Sequence, residues 1–160
     1  MAAFRTRITD LLDAQGIEYR LLPHSEPVFT VAAAAVQRGV VEEEMVKSIL
    51  LRDKDGRYVM ACVAGTARVD PRAVRASLPE GWGRLHFANA QEILTVTGCV
   101  QGAVSPLGLP EDVPVLFDAG LANSGRVNIS SGDPMAGLEL DPKDLVRVAR
   151  ARIAQISERD

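Results

Sequence analysis

Apolar residues recur at helical spacing in several short stretches of the chain. Ile8, Leu11 and Leu12 follow this spacing and Gly16 comes soon after them, which predicts an amphipathic helix over residues 4–15. In such a helix these side chains share one face, because 3.6 residues complete a turn. The same reasoning predicts further helices over residues 31–37, 70–78, 89–98 and 141–156.

Residues that favour helix ends stand at the borders of these stretches. Thr30 precedes the second helix and Gly39 follows it, as expected of an N-terminal and a C-terminal cap. Asp70 and Asp141 are each followed by a proline, which is well placed in the first turn of a helix. The last helix is predicted to turn five side chains toward the core: Leu145, Val146, Val148, Ala149 and Ile153.

Two apolar, β-branched runs at residues 45–52 and 57–64 give the clearest strand pattern. Asp55 and Gly56 stand between them and tolerate the positive φ of a tight turn, which predicts a β-hairpin. Shorter strands are predicted over residues 17–22, 84–87, 114–117 and 126–129. Because strands and helices alternate without repeats or a flexible linker, we predict a mixed α/β (α+β) fold in a single domain over residues 1–160.

Composition changes this picture little. The 160 residues are 47% hydrophobic and 24% charged, as in ordinary globular domains. The net charge of −3 excludes a wholly basic nucleic-acid coat, but it permits contact with nucleic acid over a small patch. The first residues lack the apolar core of a signal peptide and no apolar run is long enough for a membrane span, which predicts a cytoplasmic protein.

Few residues offer nucleophilic or metal chemistry. Cys62 and Cys99 stand far apart without the spacing of a metal or disulfide motif, and the only histidines are His24 and His86. We therefore predict no metal and no cofactor. A hydrolase that uses Cys99 as a nucleophile with one of the two histidines is an alternative that the spacing does not support.

Lys47 is unusual because it lies within an apolar strand. Alternation places Lys47 on one face with Ile49 and Leu51, and places Ser48 and Leu50 on the other. Since both faces look largely buried, the ammonium must reach water at a sheet edge, pair with a carboxylate or hold a charged ligand. The residues alone leave the sheet edge and the ligand open as interpretations.

A loop rich in glycine and proline follows at residues 98–110. Glycine lets backbone amides approach a ligand closely and proline fixes the shape of a loop, so such amides can polarise an ester carbonyl. A plain surface connection is the alternative. Residues 128–133 form a second candidate loop, which offers serine hydroxyls and a glycine.

Together these motifs resemble the YbaK/ProX family of free-standing aminoacyl-tRNA deacylases, which are relatives of the editing domain inserted in bacterial prolyl-tRNA synthetases. No single motif is specific, but they occur together and in the family's order along nearly the whole chain. The matching segments are Gly16-Ile17-Glu18-Tyr19, His24, Phe29-Thr30, Lys47-Ser48-Ile49-Leu50, Gly102-Ala103-Val104-Ser105-Pro106-Leu107-Gly108, Ser130-Ser131-Gly132, Gly137-Leu138-Glu139-Leu140 and Ile156-Ser157-Glu158-Arg159-Asp160.

The resemblance implies a mixed β-barrel flanked by helices and hydrolysis of a mischarged aminoacyl-tRNA ester. It implies that Lys47 is required, either to hold a phosphate of the terminal CCA or to orient the ester. The loop with Gly102, Ser105 and Pro106 would then surround the aminoacyl group and the terminal ribose. The implied substrate-binding residues are Tyr19, Phe29, Thr30, Ser48, Ala103, Val104, Ser130, Ser131, Gly132 and Glu139.

Two departures from the family leave the edited amino acid open. This chain has Gly102-Ala103 where cysteine-specific members commonly have two glycines, and residues 133–136 follow its Ser-Gly loop where those members tend to have basic residues. The resemblance implies a tRNA for proline that carries cysteine, alanine or serine, with prolyl-tRNA synthetase as a partner. The alternative function is a non-catalytic module that binds the tRNA acceptor end or a synthetase.

Overall fold

The computed structural model describes residues 4–158, in which helices and strands alternate. The helices are α1 (Arg7–Ala14), α2 (Val31–Arg38), α3 (Pro71–Ala76), α4 (Ala90–Thr97), α5 (Ala119–Ala122) and α6 (Pro142–Ala149), with a 3₁₀ turn at Glu42–Glu44. The strands are β1 (Arg20–Pro23), β2 (Val46–Arg52), β3 (Tyr58–Ala64), β4 (His86–Phe87), β5 (Val115–Asp118), β6 (Val127–Asp133), β7 (Ala136–Leu140) and β8 (Arg152–Ala154).

The predicted helix caps are confirmed. The side chains of Thr30, Asp70, Asn89 and Asp141 each accept a hydrogen bond from a backbone N–H in the first turn of their helix. Gly39 ends α2 in the left-handed conformation. Each helix within residues 4–158 has at most eight residues, and none of them is long and apolar enough to cross a bilayer.

The strands form two sheets, which confirms the mixed α/β fold. One sheet has the order β4-β2-β3-β5-β8 and the other has the order β1-β7-β6. The predicted hairpin is the antiparallel pair of β2 and β3, whereas β5 pairs in parallel with both β3 and β8. A bridge between Met45 and Asn128 connects the two sheets where β2 begins.

The larger sheet is buried on both faces. Leu50, Met60 and Phe117 face a core that they share with Ile129 and Leu138 of the smaller sheet. The opposite face carries a second cluster, which includes Leu51, Val59, Ala61, Val63, Leu116 and Ile156. Burial on both faces explains why β2 and β3 read as nearly continuous apolar runs.

The predicted final helix is too long. It ends at Ala149, because Arg150 adopts a left-handed conformation with φ of 53°, and the chain continues as β8. Ile153 is therefore on a strand and half exposed rather than on a buried helix face. The carboxylate of Asp118 accepts hydrogen bonds from the N–H groups of Ile156 and Ser157, which holds this segment beside β5. A tertiary contact thus overrides the helical pattern.

The second candidate loop and the Gly137-Leu138-Glu139-Leu140 motif are also strands. Ser130 and its neighbours belong to β6, where the register shifts between Ser130 and Asp133, and the motif forms most of β7. Glycine is unfavourable in strands, so local preference did not indicate β7. The pairing of β7 with β6 on one side and β1 on the other compensates for this.

Asp53 organises the turn of the hairpin that carries Lys47. Its carboxylate is buried and accepts hydrogen bonds from the backbone N–H groups of Asp55, Arg57 and Gly83 at 3.0–3.1 Å. The Arg57 guanidinium also donates to it. Burial by itself would raise the pKa of this carboxyl, but the donors of Arg57, Gly83 and Asp55 outweigh it and lower the pKa to about 2.

We expect Asp53→Ala to lower the free energy of unfolding by about 2 kcal/mol at neutral pH, because several buried donors lose their acceptor. Since the pKa of about 2 in the fold lies below the ordinary value of 3.8, this stabilisation is present above pH 4 and is lost as the pH falls toward 2. Urea denaturation at pH 7 and pH 3 measures both effects. Asp55→Ala is the control, since Asp55 is exposed in the same turn; equal stability of the two variants would contradict the prediction.

Candidate functional site

A cavity of about 470 Å³ lies between α2, the start of β2, the glycine-rich loop and the end of β6. Eight of the residues that the sequence singled out line it together. They are Phe29, Thr30, Lys47, Ser48, Gly102, Ala103, Val104 and Ser130. These residues come from four separate parts of the chain, so only the fold brings them into one site.

The uncovered edge of β2 forms one wall of this cavity. β4 pairs only with Leu51 and Arg52, so residues 46–49 have no strand neighbour on that side within the described chain. Lys47 and Ser48 both line the cavity although their side chains alternate between the two faces of the sheet. Ser48 also lies 4.0 Å from the sulfur of Cys62.

Lys47 lies at this edge and is half-buried. Its ammonium donates a hydrogen bond to the carbonyl oxygen of Ala67, and it forms no ion pair within residues 4–158. Burial, followed by the positive charge of Arg68, lowers the pKa of Lys47. Lys47 therefore lines the cavity as a cation without an ion-pair partner in the described residues, and Arg68 adds positive charge nearby, which favours an anionic group of a ligand at this position.

The glycine-rich loop contacts the residues that precede α2. Gly102 has φ of 90°, and a Cβ at this position would overlap the carbonyl oxygen of Phe29. The Ala103 N–H donates to the carbonyl of Val100, whereas the N–H groups of Gly102 and Val104 have no acceptor within residues 4–158. The loop therefore holds two free backbone donors in residues that line the cavity.

Ser130 connects this loop to the sheet. Its hydroxyl donates to the carbonyl oxygen of Ala103 at 3.0 Å and accepts from the N–H of Gly132 at 3.1 Å. Phe29 is half-exposed at the mouth of the cavity, and Thr30 uses its hydroxyl to cap α2. These contacts fix the loop against both α2 and β6.

Six predicted site residues do not line the cavity. Ser105 is fully buried and accepts from the Leu107 N–H, and Pro106 beside it is also buried. Ser131 is fully buried and donates to the carbonyl oxygen of Ala136 at 2.7 Å. Ser105 and Pro106 thus support the shape of the glycine-rich loop, and Ser131 supports the end of β6. The remaining three residues are Tyr19, Gly132 and Glu139.

Tyr19 and Glu139 lie at a different surface. The Tyr19 hydroxyl donates to Asp13 at 2.9 Å, and Glu139 pairs with Arg20 at 3.2 Å. Tyr19 borders a separate shallow depression next to α1. The partners of both side chains, Asp13 and Arg20, do not line the cavity, so the structure does not bring Tyr19 and Glu139 to it.

A cysteine nucleophile has no support in these contacts. Cys99 is buried next to the Thr97 carbonyl, and within residues 4–158 it is hydrogen-bonded to neither His24 nor His86. Burial raises the pKa of Cys62 to about 12, so its thiol stays protonated.

His24, Arg38 and Asp133 were not among the predicted site residues, yet all three line the cavity. His24 entered only as a family match and Asp133 only as the end of the second candidate loop, whereas nothing in the sequence singled out Arg38. His24 Nδ1 lies 2.7 Å from the carbonyl oxygen of Pro134, and Arg38 Nε donates to His24 Nε2 at 3.1 Å. Arg38 ends α2, where a cation is favoured whatever its function. The local pattern therefore could not distinguish Arg38 from an ordinary exposed charge.

Two kinds of protein relative match this chain. It is 29% identical over 147 residues to the prolyl-tRNA editing protein ProX of Acetoanaerobium sticklandii, a match that covers 88% of this chain and 87% of that protein. It is 32% identical over 95 residues to a proline–tRNA ligase of Trichlorobacter lovleyi, which covers 59% of this chain and 16% of the ligase. The chain therefore spans about a sixth of the length of that ligase.

A similar solved structure and a family model point to the same family as these relatives. The crystal structure of hypothetical protein APE2540 superimposes with a TM-score of 0.87 at 30% identity and covers 96% of this chain and 100% of its own. The family model described as the aminoacyl-tRNA editing domain matches residues 25–148, which include α2, the hairpin, the glycine-rich loop, β6 and β7. The chain belongs to the aminoacyl-tRNA editing domain family.

Proposed function

We propose that this protein hydrolyses the ester of a mischarged aminoacyl-tRNA in the cavity beside β2. The observation that carries this proposal is that one cavity is lined both by Lys47 and by Gly102 and Val104, whose N–H groups have no acceptor within residues 4–158. The ProX protein of A. sticklandii, a prolyl-tRNA editing protein by name, supports a tRNA for proline as the substrate. Within that class, a small amino acid such as cysteine, alanine or serine is the expected acyl group.

Lys47 would bind a phosphate near the 3′ end of the tRNA. Its ammonium uses one donor on Ala67 and has two more, and Arg68 adds a second positive charge nearby. A phosphate oxygen between these cations would relieve their repulsion. Because the contact involves only the last nucleotides, few phosphates are bound, which is compatible with the net charge of −3.

The chemistry needs no side-chain nucleophile. An aminoacyl ester is already activated, so a positioned water that attacks the carbonyl carbon can suffice. The bond between that carbon and the ribose oxygen then breaks, which yields a free amino acid and the tRNA hydroxyl. The amides of Gly102 and Val104 are suited to stabilise negative charge on the carbonyl oxygen during attack.

A panel of mischarged tRNAs tests this function. We expect the purified protein to release cysteine, alanine or serine from tRNA for proline and to leave correctly charged prolyl-tRNA intact. The measurement follows the loss of labelled aminoacyl-tRNA over time, with spontaneous hydrolysis subtracted. Tight binding of these tRNAs without any hydrolysis would contradict the proposal and favour a non-catalytic module for the acceptor end.

A further inference from the structure

Arg38 occupies an unusual place in the lining of the cavity. It is the last residue of α2, and its guanidinium lies directly on the backbone of Gly137 in β7. Any side chain at Gly137 would overlap the guanidinium. Gly137 pairs across the strands with Ser130, so the guanidinium stands where a side chain next to Ser130 would otherwise be.

His24 holds the guanidinium in this position. His24 Nδ1 contacts the Pro134 carbonyl oxygen, so Nδ1 carries the proton and Nε2 is free to accept from Arg38 Nε. Burial lowers the pKa of His24, which agrees with a neutral ring. A second guanidinium nitrogen contacts the sulfur of Met45 at 3.7 Å.

No carboxylate neutralises Arg38 within residues 4–158. Its Nη2 group makes no hydrogen bond there, and the carboxylate of Asp133, which also lines the cavity, accepts from the Met135 N–H instead. Burial lowers the pKa of Arg38 to about 10, so the side chain remains a cation at neutral pH. A half-buried cation with free donors is stabilised by an anionic or hydrogen-bond-accepting partner.

The residues around Arg38 favour a ligand group at which the ligand terminates. Val28, Ala34 and Met45 are buried there and form an apolar wall. A phosphodiester continues in both directions and requires an open groove, whereas the side chain of an aminoacyl group ends. The part of the cavity lined by Arg38 and this buried apolar wall therefore suits an aminoacyl side chain better than the tRNA backbone.

We propose that Arg38, positioned by His24, is a specificity-determining residue that selects aminoacyl groups whose short side chain ends in an accepting oxygen. A carboxylate, as in an aspartyl group, forms the strongest contact with the guanidinium, a hydroxyl a weaker one, and a methyl group none. This inference rests on the proposed function for its substrate class. It goes beyond that function because it assigns the selectivity for the aminoacyl group to a single cation, Arg38.

Binding of uncleavable probes tests this assignment. The probes are adenosines whose 3′ oxygen is replaced by an amide nitrogen that carries an aspartyl, seryl or alanyl group, and none of them contains a phosphate. By calorimetry, we expect wild type to bind the aspartyl probe roughly 10- to 100-fold more tightly than the alanyl probe. Arg38→Met should remove this preference and leave the affinity for the alanyl probe nearly unchanged.

Arg38→Lys and Arg147→Met complete the series. Lysine keeps the charge and should keep part of the preference, whereas Arg147 is a largely exposed residue of α6 outside the cavity and its substitution should change nothing. An equal loss of affinity for all three probes in Arg38→Met would overturn the assignment, because Arg38 would then contact a shared part of the ligand. Absence of any preference in wild type would also overturn it, even if Arg38→Met did not fold.

Deacylation of tRNAs charged with the same three amino acids separates the two proposals. If wild type hydrolyses these esters without a preference that depends on Arg38, the proposed function stands and this inference fails. If wild type hydrolyses none of them but binds the probes with an Arg38-dependent preference, the selective site stands and the deacylase function fails.

Discussion

Lys47→Met should lower kcat/KM for deacylation of mischarged tRNA by about 100-fold, the size of effect expected when a group that positions a reacting ester is lost. Methionine keeps the length and the apolar stem of the side chain, so the strand should keep its packing. The variant removes the charge that borders the cavity and leaves the carbonyl of Ala67 without its lysine donor. Single-turnover measurements at several substrate concentrations separate binding from chemistry.

Salt dependence identifies the role of Lys47. If its ammonium contacts a phosphate, the slope of log affinity against log salt should become shallower by about 1 in Lys47→Met. Lys54→Met is the matched control, because Lys54 is exposed in the turn of the same hairpin. A fully active Lys47→Met protein would show that the cavity works without this cation.

Gly102→Ala should reduce deacylation by a similar factor of about 100 through a different cause, displacement of the loop. The φ of 90° is unfavourable for alanine, and its Cβ would overlap a backbone oxygen of Phe29, which cannot rotate away. The loop must therefore move from α2 and take the free amides of Gly102 and Val104 with it. Steady-state deacylation and thermal unfolding should be measured together.

Two other glycines separate the causes of this effect. Gly56 has φ of 80° with open space around its Cβ position, so Gly56→Ala reports backbone strain without a clash. Gly125 has open space and no positive φ, so Gly125→Ala should be neutral. If Gly102→Ala retains full activity while its stability falls as in Gly56→Ala, the contact with Phe29 has no part in positioning the ester.

Under the proposed function, the cavity would allow a chain with two histidines and two buried cysteines to act on an ester. In that proposal, cations and backbone donors of the lining residues would bind and polarise the ester, and the attacking water would come from solvent. Mutation of buried serines should therefore act through stability. Ser105 and Ser131, which the family resemblance placed at the site, are buried and do not line the cavity themselves. The Ser105 hydroxyl accepts a hydrogen bond within the glycine-rich loop, and the Ser131 hydroxyl is hydrogen-bonded to Asp133 and Ala136.

The sequence by itself determined the features that depend on near neighbours. The hairpin follows from two apolar runs and an Asp-Gly turn, and the helix starts follow from residues such as Thr30 and Asp70, whose partners lie two or three residues away. The glycine-rich loop and Lys47 were recognisable because their residue types are unusual in their local setting. Together with the family motifs, these features predicted the fold class and eight of the residues that line the cavity.

Only the tertiary structure decided the features that depend on distant partners. The last helix is followed by β8 because β5 pairs with β8 and the carboxylate of Asp118 accepts a hydrogen bond from the Ile156 N–H. These partners are distant from each other in the sequence. In the sequence, Arg38 is an ordinary charged residue at the end of a helix. Only the fold places it against His24 and Gly137. Local preferences amount to fractions of a kcal/mol per residue, so strand pairing and burial override them, and these contacts cannot be read from short stretches of sequence.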